Sequence, residues 1–166
     1  MPGQKLLWEA STVGERPYGV KVGENGVFAV FDNSLKVYDF DGNTVANYDF
    51  EGRKIKSMAL SSTFAAVALN EKTLGTIDRV LVFDGGGKVY ENTVAGEVRD
   101  MRFSEEHEYL YLLTREGLGK INTGEKTLEF MAGDYDETAN KIVYADGKKI
   151  YLAGRAKIIA VDAEQS

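Results

Sequence analysis

Cysteine is absent from the 166 residues. That removes disulfide frameworks and thiolate zinc sites, and leaves packing as the source of stability. The single histidine, His107, removes most nucleophile–base catalysis, because a Ser–His or Cys–His pair needs an imidazole held in a pocket by an orienting partner. Its setting, Glu105-Glu106-His107-Glu108, reads as the exposed tip of a hairpin. No apolar run approaches the ~18 residues that cross a bilayer, and the opening Met1-Pro2-Gly3-Gln4-Lys5 lacks the apolar stretch of a signal peptide. The expectation is a soluble, cytoplasmic protein with no membrane contact. Clustered cations are also missing: twenty Lys and Arg against twenty-six Asp and Glu give a net charge of −6, with the basic residues scattered, so nucleic acid is not an expected partner.

Two prolines stand against eighteen glycines, a balance that favours many tight turns. The length suits one domain with a sizeable core. Windows with apolar residues at helical spacing are missing, whereas short runs of Val, Ile, Leu, Phe and Tyr recur between glycine, Asn or Asp. These runs predict strands over Tyr18–Val22, Gly26–Phe31, Leu35–Phe40 and Thr44–Phe50, and again over Ile55–Leu60, Phe64–Leu69, Arg79–Phe83 and Lys88–Val94. A surface loop, Asn70–Asp78, interrupts the second group. A third group follows over Val98–Phe103, Tyr109–Thr114, Leu118–Ile121 and Thr127–Met131; a fourth has three strands, Lys141–Tyr144, Lys149–Leu152 and Lys157–Val161.

A marker fixes the repeat. Each third strand closes on Asp or Asn, at Asp39, Asp84, Asn122 and Asp162, spaced by 45, 38 and 40 residues. That matches the roughly 40–45 residues of a propeller blade. A short carboxylate or amide there accepts hydrogen bonds from the backbone N–H groups of its own turn, so a structural role outweighs a catalytic one.

The sequence therefore predicts an all-β fold, a β-propeller of four four-stranded antiparallel blades: blade 1 over about 18–50, blade 2 over about 55–94, blade 3 over about 98–131, and blade 4 over about 141–162 plus 5–10. The N-terminal strand Leu6–Ala10 is expected to complete the last blade, since Gly3-Gln4-Lys5-Leu6-Leu7 is similar to Gly124-Glu125-Lys126-Thr127-Leu128 as it enters a fourth strand. Closure within one chain gives a monomer; exchange of that strand between two chains gives a homodimer with an eight-bladed ring.

The units resemble WD40-like and quinoprotein-like (PQQ-type) propeller blades. The residues that carry the likeness are Ala160-Val161-Asp162-Ala163-Glu164 and Gly3-Gln4-Lys5-Leu6-Leu7-Trp8-Glu9, similar to the strand–turn–strand passage of PQQ-type repeats that ends in Leu-Trp-Glu. The Trp-Asp and Gly-His pairs of true WD40 repeats are absent, and Trp8 is not repeated in the other units. No adjacent cysteines or tryptophan array match a quinone site, so no cofactor is expected.

Asp39, Asp41 and Asn43 place oxygen ligands at alternate positions with Gly42 between, like the opening of a calcium loop. The distal Glu that should follow is absent, Phe50 standing in its place, and a hairpin turn is the favoured reading. Asp134, Asp136 and Glu137 form an acidic group around Tyr135, read as a solvated loop. Gly85-Gly86-Gly87 joins two strands with no helix after it, so it lacks the anion-binding geometry of a strand-to-helix turn. The densest basic stretch, Lys148, Lys149, Arg155 and Lys157, reads as outward positions on two adjacent strands.

With no catalytic residues assigned, the expected function is a non-enzymatic binding or scaffold propeller that mediates protein–protein interaction. Two alternatives stand beside it. One is a small-ligand or glycan binder, or a carboxylate-based hydrolase or lyase, at the central channel; the other is an excised or engineered half-propeller with no function of its own.

Overall fold

Two sequence stretches, Ala65–Asn70 (AAVALN) and Tyr109–Thr114 (YLYLLT), are apolar at almost every position. A strand of that kind must be covered on both faces. The computed structural model describes residues 5–10, 14–71, 77–106, 109–131 and 139–164, and within them every regular element is a strand. The first sheet is β1 (Pro17–Val22), β2 (Val27–Phe31), β3 (Ser34–Tyr38) and β4 (Thr44–Asp49); the second is β5 (Ile55–Leu60), β6 (Ala65–Asn70), β7 (Ile77–Asp84) and β8 (Gly87–Ala95). A third follows as β9 (Val98–Phe103), β10 (Tyr109–Thr114), β11 (Leu118–Asn122) and β12 (Thr127–Phe130). The fourth is β13 (Lys141–Ala145), β14 (Lys149–Ala153) and β15 (Ile158–Asp162). All are antiparallel meanders.

Side-chain alternation turns these sheets into a stack. Along β6, Ala65, Val67 and Leu69 join Phe28, Val30, Leu35 and Val37 of the first sheet, while Ala66 and Ala68 join Leu110 and Leu112 of the third. Tyr111 and Leu113, on the other face of β10, pack with Ile142, Ile150 and Leu152 of the fourth. Each fully buried Val, Leu or Phe stabilises by about 1.5–3 kcal/mol, so three such layers supply the main cohesion. A one-residue slip in β6 or β10 would exchange the faces and lose both layers at once.

First strands stand side by side, β5 against β9 and β9 against β13, and fourth strands meet at the periphery, β4 against β8. The first strands therefore line the axis. On the outer strand β4 (TVANYD), Ala46 and Tyr48 are half-buried while the residues between and beside them are exposed, because one face meets water.

All four predicted strand-end markers act as turn acceptors. Asp39 Oδ1 accepts from the backbone N–H groups of Asp41 and Asn43, both at 2.9 Å, and Asp84 Oδ1 accepts from Gly86 at 2.8 Å. Asn122 Oδ1 accepts from Gly124 and Glu125, and Asp162 Oδ1 from Glu164. Ser61, Ser104 and Asp146 do the same service at the first turn of their sheets.

The expected closing strand is a correction. Leu6–Ala10 form no strand and do not pair with β15; the fourth sheet holds three strands, in the order β13-β14-β15. Trp8 instead lies on the first sheet, its ring 5.8 Å from that of Tyr38 and its Nε1 donating to the Phe40 carbonyl at 3.1 Å. The physical reason is distance along the arc: core clusters join sheets one to two, two to three and three to four, and none joins four to one among the described residues. The near apolar ground for Trp8 is Tyr38, not β15. A smaller difference concerns the loop expected over Asn70–Asp78: Asn70 closes β6 and Ile77 and Asp78 belong to β7, where Asp78 pairs with Asn70.

Candidate functional site

Where β1, β5 and β9 converge, the structure opens a cavity of about 530 Å³, inside the range that holds small ligands. Its walls come from the ends of those strands and the turns after them: Lys21, Met58, Leu60, Met101, Arg102 and Glu105 are the residues that matter. The turns are locked by hydroxyls. Ser61 Oγ accepts from Phe64 N–H at 2.9 Å and Ser104 Oγ from Tyr109 N–H at 3.3 Å, so these serines are occupied by the backbone.

Two backbone bonds tie the turns of neighbouring sheets together, Glu24 N–H to the Ser62 carbonyl at 2.7 Å and Glu105 N–H to the Ala145 carbonyl at 3.0 Å. The rim is thus held across sheets. Charge is distributed unevenly around it. Lys36, Arg53, Lys56, Arg79, Lys88 and Lys120 all sit in ion pairs with glutamates, whereas Lys21 and Arg102 have no such partner among the described residues. The cavity is therefore lined by two cationic residues, one carboxylate, Glu105, and the apolar Met58, Leu60 and Met101.

Lys21 and Arg102 occupy the same place in their repeats, two residues before the turn that opens at Gly23 and Ser104; Ala59 and Tyr144 hold the equivalent places before Ser61 and Asp146. Overlaying the repeats on their turns is the signal in the sequence that reveals this pair. The strand assignment by itself does not, because the two cations are far apart in the chain.

The residues singled out from sequence lie elsewhere. Asp39, Asp41 and Asn43 do meet, but as a β3–β4 turn: both Asp39 oxygens are engaged, Oδ2 by the Asn43 amide at 3.0 Å, and these bonds hold its carboxyl below the usual carboxylate value. No group of acidic or histidine side chains with metal-binding geometry occurs among the described residues. His107, Asp134, Asp136 and Glu137 lie outside those residues. Gly85 and Gly86 sit in the β7–β8 hairpin and Gly87 opens β8, with φ +126° there. Of the basic stretch, Lys149 opens β14 and pairs with Asp162 of β15, Lys148 lies in the turn before it, and Arg155 and Lys157 lie in the turn before β15.

Neither a protein-family model nor a curated protein matches the sequence. Solved structures do. The chain superposes on BamB from Moraxella catarrhalis with a TM-score of 0.65 at 11% identity, over 93% of this chain and 49% of that one. It matches the WD40 repeats of RRP9 with a TM-score of 0.58 at 15% identity, covering 90% and 47%. The fold is a β-propeller. Hydrazine synthase from Kuenenia stuttgartiensis matches too, with a TM-score of 0.58 at 14% identity over 96% and 49%. At such identities the likeness is one of fold. The chain spans about half the length of each of these propellers, and its four sheets have the form of a half-propeller.

Proposed function

We propose that the chain is a non-enzymatic binding module that engages an acidic segment of another protein at the rim formed by the first turns. One observation carries this reading: Lys21 and Arg102 line one open cavity and neither has an ion pair among the described residues, whereas Lys36, Arg79 and Lys120 are engaged by glutamates. Desolvating an unpaired cation costs less when a partner carboxylate replaces the water, and a guanidinium adds bidentate geometry. The clamped turns keep the rim in place, which lowers the entropic cost of association.

The test is co-purification from the source cells with three versions of the protein. Wild type captures a partner; the Lys21→Glu, Arg102→Glu double variant loses it; Lys54→Glu, at the opposite rim, keeps it. Equal capture by all three removes the reading. The volume of the cavity favours a second one, a small anionic ligand. A melting shift produced by a carboxylate or phosphate compound and abolished by Arg102→Gln identifies that class. Acid–base catalysis by a carboxylate pair has less support, since Glu105 is the one carboxylate lining the cavity.

A further inference from the structure

The two ends of the arc present faces that the interior of the same arc buries. Val20 precedes its turn by the same interval as Met58 and Met101, yet Val20 is 59% exposed where Met101 is 4% exposed, because among the described residues no sheet packs in front of the first. At the far end, Tyr144 stands where Lys21, Ala59 and Arg102 stand, and each of those is on the face turned toward the next sheet. Among the described residues no sheet covers that face; Tyr144, exposed, and Tyr151, half-buried, form a T-shaped pair with rings 5.9 Å apart, beside Val143. The edge strand β15 is also open. Ile158 is 72% exposed on it, and sheets one to three each carry a fourth strand at that position.

The segment Lys5–Ala10 sits where such a fourth strand belongs. In this fold the strand immediately before each first strand is the outer strand of the preceding sheet, as β4 is to β5, β8 to β9 and β12 to β13. By that rule the segment before β1 holds the outer-strand slot of a sheet packed in front of the first one. Trp8 pins it there through Tyr38, Phe40 and Gly42, while Leu6 and Leu7 are 72% and 81% exposed. Among the described residues that slot holds a candidate outer strand without the other three, and the fourth sheet holds three strands without an outer one.

We infer that two copies of this chain close one eight-bladed ring, each docking its β13–β15 sheet on the other's first sheet and receiving the other's Lys5–Ala10 segment as the outer strand beside β15. Charge agrees with this pairing. Residues 14–50 carry six carboxylates against three cations, net −3, and residues 139–164 carry five cations against three carboxylates, net +2. A head-to-tail contact that closes after two steps gives two identical interfaces and leaves no free sheet edge. The chain's coverage of about half of each solved propeller fits a ring assembled from two such arcs. This inference is independent of the anionic partner proposed above, and its test uses no ligand.

The measurement is absolute mass by light scattering on a sizing column, over roughly 1–100 µM protein, since assembly follows mass action. The expected mass is twice 18.3 kDa. Because the chain has no cysteine, Leu7→Cys and Ala160→Cys can be made separately, mixed and treated with a bis-maleimide; a cross-link between the two variants is expected. Ile158→Asp changes a side chain exposed in the isolated arc, so it should leave the circular dichroism of the sheets intact while weakening the dimer by about tenfold or more. A mass of 18.3 kDa at every concentration, an open ladder of larger masses, or a dimer unaffected by Ile158→Asp would each overturn the inference.

Discussion

Asp78, near the start of β7, accepts the backbone N–H of Val98, the first residue of β9, at 2.8 Å. A carboxylate of the second sheet thus positions the axial strand of the third. Asp78 is 1% exposed, and burial, more than the opposing Val98 hydrogen bond and Lys56 charge, lifts its carboxyl above the usual aspartate value of 3.8. A raised folded-state value means that its contribution to stability is fully present below the unfolded value and is lost as pH rises through the folded one. Asp78→Asn keeps an acceptor and cannot ionise, so urea unfolding should show the variant gaining on wild type between pH 4 and pH 8. Asp78→Ala should cost about 1–3 kcal/mol at any pH, because a buried N–H loses its acceptor. A pH-independent difference between wild type and the Asn variant would contradict the account.

The repeat was legible because its marker has a local cause. Asp39, Asp84, Asn122 and Asp162 bond their own turns, so spacing alone reveals them. The uninterrupted apolar runs at Ala65–Leu69 and Tyr109–Leu113 likewise announce strands covered on both faces. The placement of Leu6–Ala10 was not legible. A Leu-Leu-Trp run suits any apolar edge, and the choice between Tyr38 and β15 depends on how far the stacked sheets turn, which no local pattern records. The cavity was hidden for a related reason: Lys21 and Arg102 line one cavity only because the ends of β1 and β9 both border it.

Arg79 is the centre of a charge network on the second sheet. Its Nε lies 2.8 Å from Glu71 Oε1 and its Nη1 2.7 Å from Glu91 Oε2, while Arg53 reaches the same Glu71 oxygen at 2.8 Å. These contacts hold the Glu71 and Glu91 carboxyls below the usual range and raise the guanidinium. An ammonium has no planar fork to span two carboxylates. Arg79→Lys should therefore lower stability by about 1 kcal/mol in low salt, with the difference shrinking in 1 M salt as screening grows. A loss that ignores salt would point to packing of the side chain's stem instead.

The turn at Asp39 makes a separate prediction about metal. Its carboxyl is lowered chiefly by the Asn43 side-chain and backbone bonds, so the stability it contributes is present above the ordinary aspartate value and lost as pH falls through the lower folded one. Asp39→Ala should reduce the melting temperature at pH 7 and flatten the acid limb below about pH 4. Calcium and EDTA should leave the wild-type melting temperature unchanged. A calcium-dependent rise abolished by Asp39→Ala would restore the ligand reading for Asp39, Asp41 and Asn43.

Gly42 has φ +87°, and a Cβ built on it would lie 2.7 Å from the Trp8 ring, nearer than any real contact allows. Two constraints coincide at one residue: the turn needs the left-handed region, and the indole needs the space. Gly42→Ala should cost about 1 kcal/mol from the backbone alone and should displace Trp8 from Tyr38 as well. Trp8 is the only tryptophan, so its fluorescence reads that displacement directly, as a red shift of the emission toward that of exposed indole. Trp8→Ala separates the two effects, because in that background Gly42→Ala should cost only the backbone term. If the double variant loses as much stability as the two single changes summed, the contact between Gly42 and Trp8 has no energetic weight and the anchoring of Lys5–Ala10 must lie elsewhere.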